Sequence, residues 1–163
     1  MKVIFLLLFS IYLLDVVSTR YDPGICNDIN YEILDDETRN MAFNYGSHEC
    51  YNENRSVCDI TNHESQSPDW KGPNWYKVDG KAGTRIADED VDYCHCNTDA
   101  TGYINGSHPK TVGETVTRTV CFRWFSNACS YQIDIQIRNC GNYYLYHLEN
   151  VESDMIYLRY CTK

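Results

Sequence analysis

The chain has 163 residues, 43% of them hydrophobic, and a formal net charge of −9. That length gives room for one domain with a real core, and the apolar content with only four prolines excludes a disordered chain. The acidic balance argues against nucleic acid and anionic membranes as partners, because both repel negative charge.

Lys2 precedes an almost wholly apolar run, residues 3–14. Such a run is too short to cross a hydrocarbon core of ~30 Å, which needs ~20 residues, and it reads as the core of a signal peptide. Val16 and Ser18 are small enough for the positions that a signal peptidase reads. Residues 1–18 are therefore expected to be a signal peptide, and residues 19–163 a single secreted, soluble domain without a membrane span.

After the leader, Asp35, Asp36 and Glu37 precede residues 38–43, which read as a short N-terminal helix, since carboxylates suit the unpaired N–H groups of a helix start. Residues 62–74 are rich in turn formers and read as a loop. From there the pattern is β. Residues 75–78 form a short aromatic run stopped by Asp79-Gly80. Residues 115–124 alternate, with Val116, Arg118, Val120 and Phe122 on one side. Ile133, Ile135 and Ile137 alternate with Asp134, Gln136 and Arg138, the period-two signature of a strand with one buried face. Residues 143–148 and 155–161 supply two more strands. Short strands with turn residues between them predict a mainly β, antiparallel, sandwich-like domain.

Secretion decides the reading of the nine cysteines: in an oxidising compartment they form disulfides first. An odd number leaves at least one without an intramolecular partner.

Several linked motifs run through residues 75–161. They are Trp75-Tyr76-x-Val78-x-Gly80-x-Ala82-Gly83, Cys96-x-Thr98-x-Ala100-x-Gly102-Tyr103-Ile104-Asn105-Gly106-x-His108-Pro109, and Val116-x-Arg118-x-Val120-Cys121-x-x-Trp124. Ile135-x-Ile137-Arg138-x-Cys140-x-x-Tyr143-Tyr144-Leu145-Tyr146-x-Leu148 and Leu158-x-Tyr160-Cys161 complete the set. In this order and spacing the chain resembles the uromodulin-type cysteine-rich (eight-cysteine) domain. A looser match extends upstream through Cys26, Leu34, Asp35 and Arg39. The resemblance implies bridges Cys26–Cys140, Cys96–Cys161 and Cys121–Cys129. Family cysteines are absent at Asp90 and Ala128 together, as expected if they pair with each other. The family cysteine five residues before the last is Ile156 here. Two arrangements then stay open for Cys50, Cys58 and Cys94. Either Cys50 pairs with Cys58 and Cys94 is unpaired, or Cys94 bridges one of the other two.

No residue pattern points to catalysis, a metal or a cofactor. Cys94-His95-Cys96 lacks the usual zinc spacing, and residues 88–92 lack the glycine and terminal glutamate of a calcium loop. His108 belongs to the family motif and reads as a turn-orienting side chain. Asn54-Arg55-Ser56 and Asn105-Gly106-Ser107 are glycan acceptors. Tyr143, Tyr144 and Tyr146 offer a binding surface, because tyrosine supplies contact area with a polar tip. The expectation is an extracellular recognition domain for a glycan or a cell-surface protein. The alternatives are a matrix or mucus component, crosslinked through an unpaired cysteine into a disulfide-linked dimer, and a secreted enzyme.

Overall fold

The computed structural model describes residue 24 and residues 26–44, 56–153 and 156–163. Residues 1–18, expected to be a signal peptide, and Cys50 and Asn54 lie outside the described residues. Among the described residues, seven strands run in chain order: β1 (Glu32–Leu34), β2 (Asn74–Val78), β3 (Ala100–Ile104), β4 (Thr115–Trp124), β5 (Asn127–Asn139), β6 (Tyr144–Leu148) and β7 (Leu158–Tyr160). They form one sheet in the order β1-β2-β6-β5-β4-β3-β7. The centre is antiparallel, and each edge strand pairs parallel to its neighbour, β1 to β2 and β7 to β3.

Two expectations are corrected here. The fold is not two stacked sheets. All seven strands feed one core cluster, through Leu34, Tyr76, Ile104, Val120, Ile137, Tyr146 and Leu158 among others, so a single sheet curls around it. The expected N-terminal helix is one 3-10 turn, Glu37–Arg39, capped by the Asp36 side chain, which accepts from the Thr38 N–H. It stops at Asn40, whose backbone is extended (φ −64°, ψ 136°), because the chain there bridges to Thr162 rather than continuing to coil.

Alternation along β4 and β5 puts Val116 opposite Ile137 and Val120 opposite Ile133, so apolar partners face each other across the hairpin. The loop over residues 62–74 contributes a core plug. Trp70 is fully buried and stacks on Tyr76 at 5.0 Å, and its indole N–H donates to Asn150 Oδ1 at 3.2 Å.

A buried ionic clasp joins the two edges of the sheet. Arg39, just past β1, donates to both oxygens of Asp59 at 2.7 and 3.0 Å, to both of Asp69 at 2.5 and 3.1 Å, and to the Tyr160 carbonyl. Arg159, on β7, donates to Asp36 at 2.6 Å and to the Cys96 carbonyl at 2.9 Å. Burial disfavours the charge on Arg39, but Asp59 and Asp69 outweigh it and raise its pKa. Burial and the neighbouring Arg39 together lower that of Arg159.

Disulfides join Cys26 to Cys140, Cys96 to Cys161 and Cys121 to Cys129, with Cα separations of 5.8, 5.6 and 4.6 Å. Cys94 is also disulfide-bonded, and Cys58 is a buried thiol. Of the two arrangements left open, this rules out the one with a Cys50–Cys58 bridge and an unpaired Cys94, and agrees with the one in which Cys94 is bridged. Cys58 is held inside by a backbone pairing with residues 65–67, and its sulfur lies 3.4 Å from His63 Nδ1 and 3.6 Å from the Ser65 carbonyl. Cys94 sits in a tight turn with φ +65°.

Candidate functional site

Two backbone features build a cleft at the end of β6. Gly83 has φ +114°, and a Cβ there would lie 2.5 Å from the Lys163 carbonyl oxygen, so only glycine lets the two segments meet. That approach lets Thr84 N–H donate to Lys163 O at 2.9 Å and Lys163 N–H donate to Arg85 O at 2.9 Å. Opposite, the turn from β5 to β6 uses Gly141 at φ +92° and is tied by Cys140 N–H donating to Tyr143 O at 2.9 Å. The Cys26–Cys140 disulfide anchors the same turn. Between them lies a cleft of about 450 Å³, lined by Thr84, Arg85, Gly141, Asn142, Tyr143, Tyr144 and Lys163.

A hydrogen-bond chain supports the cleft from below. Ile86 N–H donates to Tyr146 Oη at 3.2 Å, and that hydroxyl lies 2.8 Å from His108 Nε2. His108 Nδ1 lies 3.1 Å from Asp88 Oδ2. A neutral imidazole with its proton on Nδ1 satisfies every link, since Tyr146 then donates to Nε2. Burial lowers the pKa of His108, against the opposing pull of Asp88. The His108 ring packs on Tyr144 at 4.6 Å and so fixes one wall of the cleft. Asp88 also pairs with the Lys163 ammonium, and Lys163 reaches Glu89 at 2.9 Å. Burial works against the Asp88 carboxylate, yet hydrogen bonds from Lys163 and His108 hold its pKa below the usual range.

The three tyrosines named from the sequence separate. Tyr143 and Tyr144 are half-buried and line the cleft. Tyr146 is fully buried and is not part of any surface, a correction whose cause is the inward face of β6, where Ile86 and His108 satisfy its hydroxyl. The sequence reading missed Arg85 and Lys163. Their signal was faint: both are cations flanking residues of the family motif, distant in sequence from the tyrosines.

The other sequence candidates disperse. Cys94 and Cys96 are both oxidised, so neither is a thiolate ligand. The acidic run splits its carboxylates between Lys163, His108 and Arg123 rather than pooling them around one point. Asn105 is exposed in a turn with Gly106 at φ +136°. A second cleft of about 450 Å³ lies beside Tyr31 and Ile33, but its Asp36 and Asp69 carboxylates are committed to the clasp. No described helix is long and apolar enough to cross a membrane.

Comparison with the sequences of known proteins places the chain in a family. The chain is 33% identical to the pancreatic secretory granule membrane major glycoprotein GP2 of Canis lupus familiaris over 150 residues, 91% of this chain and 25% of that protein. It is 31% identical to GP2 of Homo sapiens over 135 residues, 82% of this chain and 21% of that protein. Uromodulin of Rattus norvegicus is 38% identical over 89 residues, 54% of this chain and 14% of that protein. The chain thus spans a quarter or less of the length of these relatives. The uromodulin-like domain family matches residues 76–162, which cover β3 to β7 and all but the first two residues of β2. This chain belongs to the uromodulin-like cysteine-rich domain family.

Proposed function

We propose that this protein is an extracellular recognition module that binds a glycan or a cell-surface protein and performs no catalysis. The observation that carries the reading is the preformed cleft between Arg85, Lys163 and Tyr143–Tyr144, whose walls are fixed by a disulfide, a glycine contact and a buried hydrogen-bond chain. A rigid cleft of a few hundred Å³ with a few polar groups suits binding. His108 is the side chain best placed for proton transfer, and both its nitrogens are already occupied beneath the surface. The GP2 relative is named for the secretory granule membrane, which supports routing through the secretory pathway. On this reading residues 1–18 are removed, residues 19–163 act as one unit, and Asn54 and Asn105 carry glycans. Crosslinking into a dimer loses its basis, because Cys94 is bonded and Cys58 is buried.

The test is binding of the fluorescently labelled, secreted chain to a panel of intact epithelial and immune cells. Saturable binding that unlabelled protein displaces is expected. Binding no greater than that of a heat-denatured control on every cell type would overturn the proposal.

A further inference from the structure

The geometry points to an acidic saccharide as the ligand of the Arg85–Lys163–Tyr144 cleft, with its carboxylate or sulfate on Arg85 and its ring against the tyrosine wall. The inference rests on the recognition reading above and goes further by naming the ligand class and the atoms that hold it. Four observations converge on it.

The first is charge. The chain carries −9 overall, yet among the described residues the side chains lining this cleft include Arg85 and Lys163 and no Asp or Glu. Asp88 and Glu89 offset the Lys163 ammonium from outside the lining, which leaves the Arg85 guanidinium as the charge that draws an anionic group into the cleft.

The second is the state of Arg85. Its side chain is 40% exposed, and its one charged partner among the described residues is Asp88 at 3.9 Å, beyond hydrogen-bond reach. A planar guanidinium with uncommitted N–H groups is suited to paired hydrogen bonds with a carboxylate or a sulfate. Lys163 is different: it is already paired to Asp88 and Glu89, which offset its charge, so its share in holding an anion is the smaller one.

The third is the aromatic wall. Tyr144 is braced by His108 at 4.6 Å, and Tyr143 lies under the Lys77 ammonium at 5.3 Å. A pyranose has an apolar C–H face whose hydrogens are slightly positive, and the negative face of a phenol ring attracts it. The Tyr144 and Thr84 side chains also present hydroxyls to the sugar hydroxyls.

The fourth is preorganisation. The Gly83–Lys163 contact and the Cys26–Cys140 bridge hold both walls before ligand arrives. Weakly bound sugars gain most from a site that needs no ordering. A bare inorganic anion would use the cations and leave the tyrosine wall idle, so a ring bearing the anion is the better fit.

The experiment is calorimetric titration of the intact secreted chain with four probes: 3′-sialyllactose, a heparin-derived hexasaccharide, lactose and sodium sulfate. One of the two acidic saccharides should bind at least about tenfold more tightly than lactose and sulfate. The one that does tells a carboxylate from a sulfate ligand. Arg85→Gln should weaken that saccharide by about tenfold and Lys163→Gln by less, while Lys71→Gln, in the other cleft, should leave it unchanged. Circular dichroism and thermal melting show whether each variant is folded. Lactose or sulfate binding as tightly as the acidic sugars, or full affinity in a folded Arg85→Gln variant, would overturn the inference. Loss of all saccharide binding alongside retained cell binding overturns the inference and leaves the recognition reading standing. Loss of both overturns both.

Discussion

Cys58 is fully buried, and burial pushes its thiol pKa up to about 12. At neutral pH it is a protonated, shielded sulfur and therefore a poor nucleophile. Iodoacetamide should leave the native protein unmodified at Cys58 and should add one label there after denaturation without reductant. Labelling of Cys94 under the same conditions would contradict the pairing. Cys94 needs a partner, and with the other described cysteines accounted for, a non-reducing peptide map should join it to Cys50. The odd cysteine count was legible in the sequence, but its owner was not. Spacing carries no information about burial, and the useful signal was Ile156, which stands where the family has a cysteine. His108 gives a second test at this scale. Its folded pKa lies below that of an unfolded histidine, ~6.5. As pH falls below ~6.5 the unfolded chain takes up the proton first, so this contribution to stability is complete above ~6.5 and is lost on descending toward the folded pKa. Urea unfolding between about pH 7.5 and 5.5 should show a loss of stability that His108→Gln reduces. An equal loss in both proteins would mean that another group titrates.

Between the edge strands, the Arg39–Asp59–Asp69 clasp does what a hydrogen-bond ladder does elsewhere. Arg39→Met should cost about 3–5 kcal/mol, because Asp59 would lose its hydrogen-bonded cation and Asp69 would keep only the Arg159 cation at 3.8 Å. Chemical denaturation measures it, and a cost under about 1 kcal/mol would show that the two carboxylates find solvent or protons easily. The strands with period-two alternation, β4 and β5, were readable from sequence, as were the aromatic β2 and β6. β3 was not, because Ala100–Ile104 is buried at every position and so shows no alternation. β1 was not, because three residues are too few to carry a period. The curled single sheet was also hidden: alternation tells which side chains share a face, but not which strands are neighbours or whether the edges converge.

For the whole molecule, the account rests on one surface. Tyr143 and Tyr144 were visible in the sequence as an aromatic cluster, whereas the cations that complete the cleft come from the segment after Gly83 and from Lys163, brought together only by the glycine contact. Tyr146 misled for a related reason: composition counts tyrosines without saying which ones find buried partners. The recognition reading and its ligand class meet in the location of binding. The most direct measurement is an amide-resolved NMR titration of the secreted chain with 3′-sialyllactose and with the heparin-derived hexasaccharide. The account predicts saturable shifts, for the saccharide that binds, confined to Thr84, Arg85, Gly141, Asn142, Tyr143, Tyr144 and Lys163. Shifts centred on the Tyr31–Asp36 cleft, or no shifts with either saccharide, would contradict it.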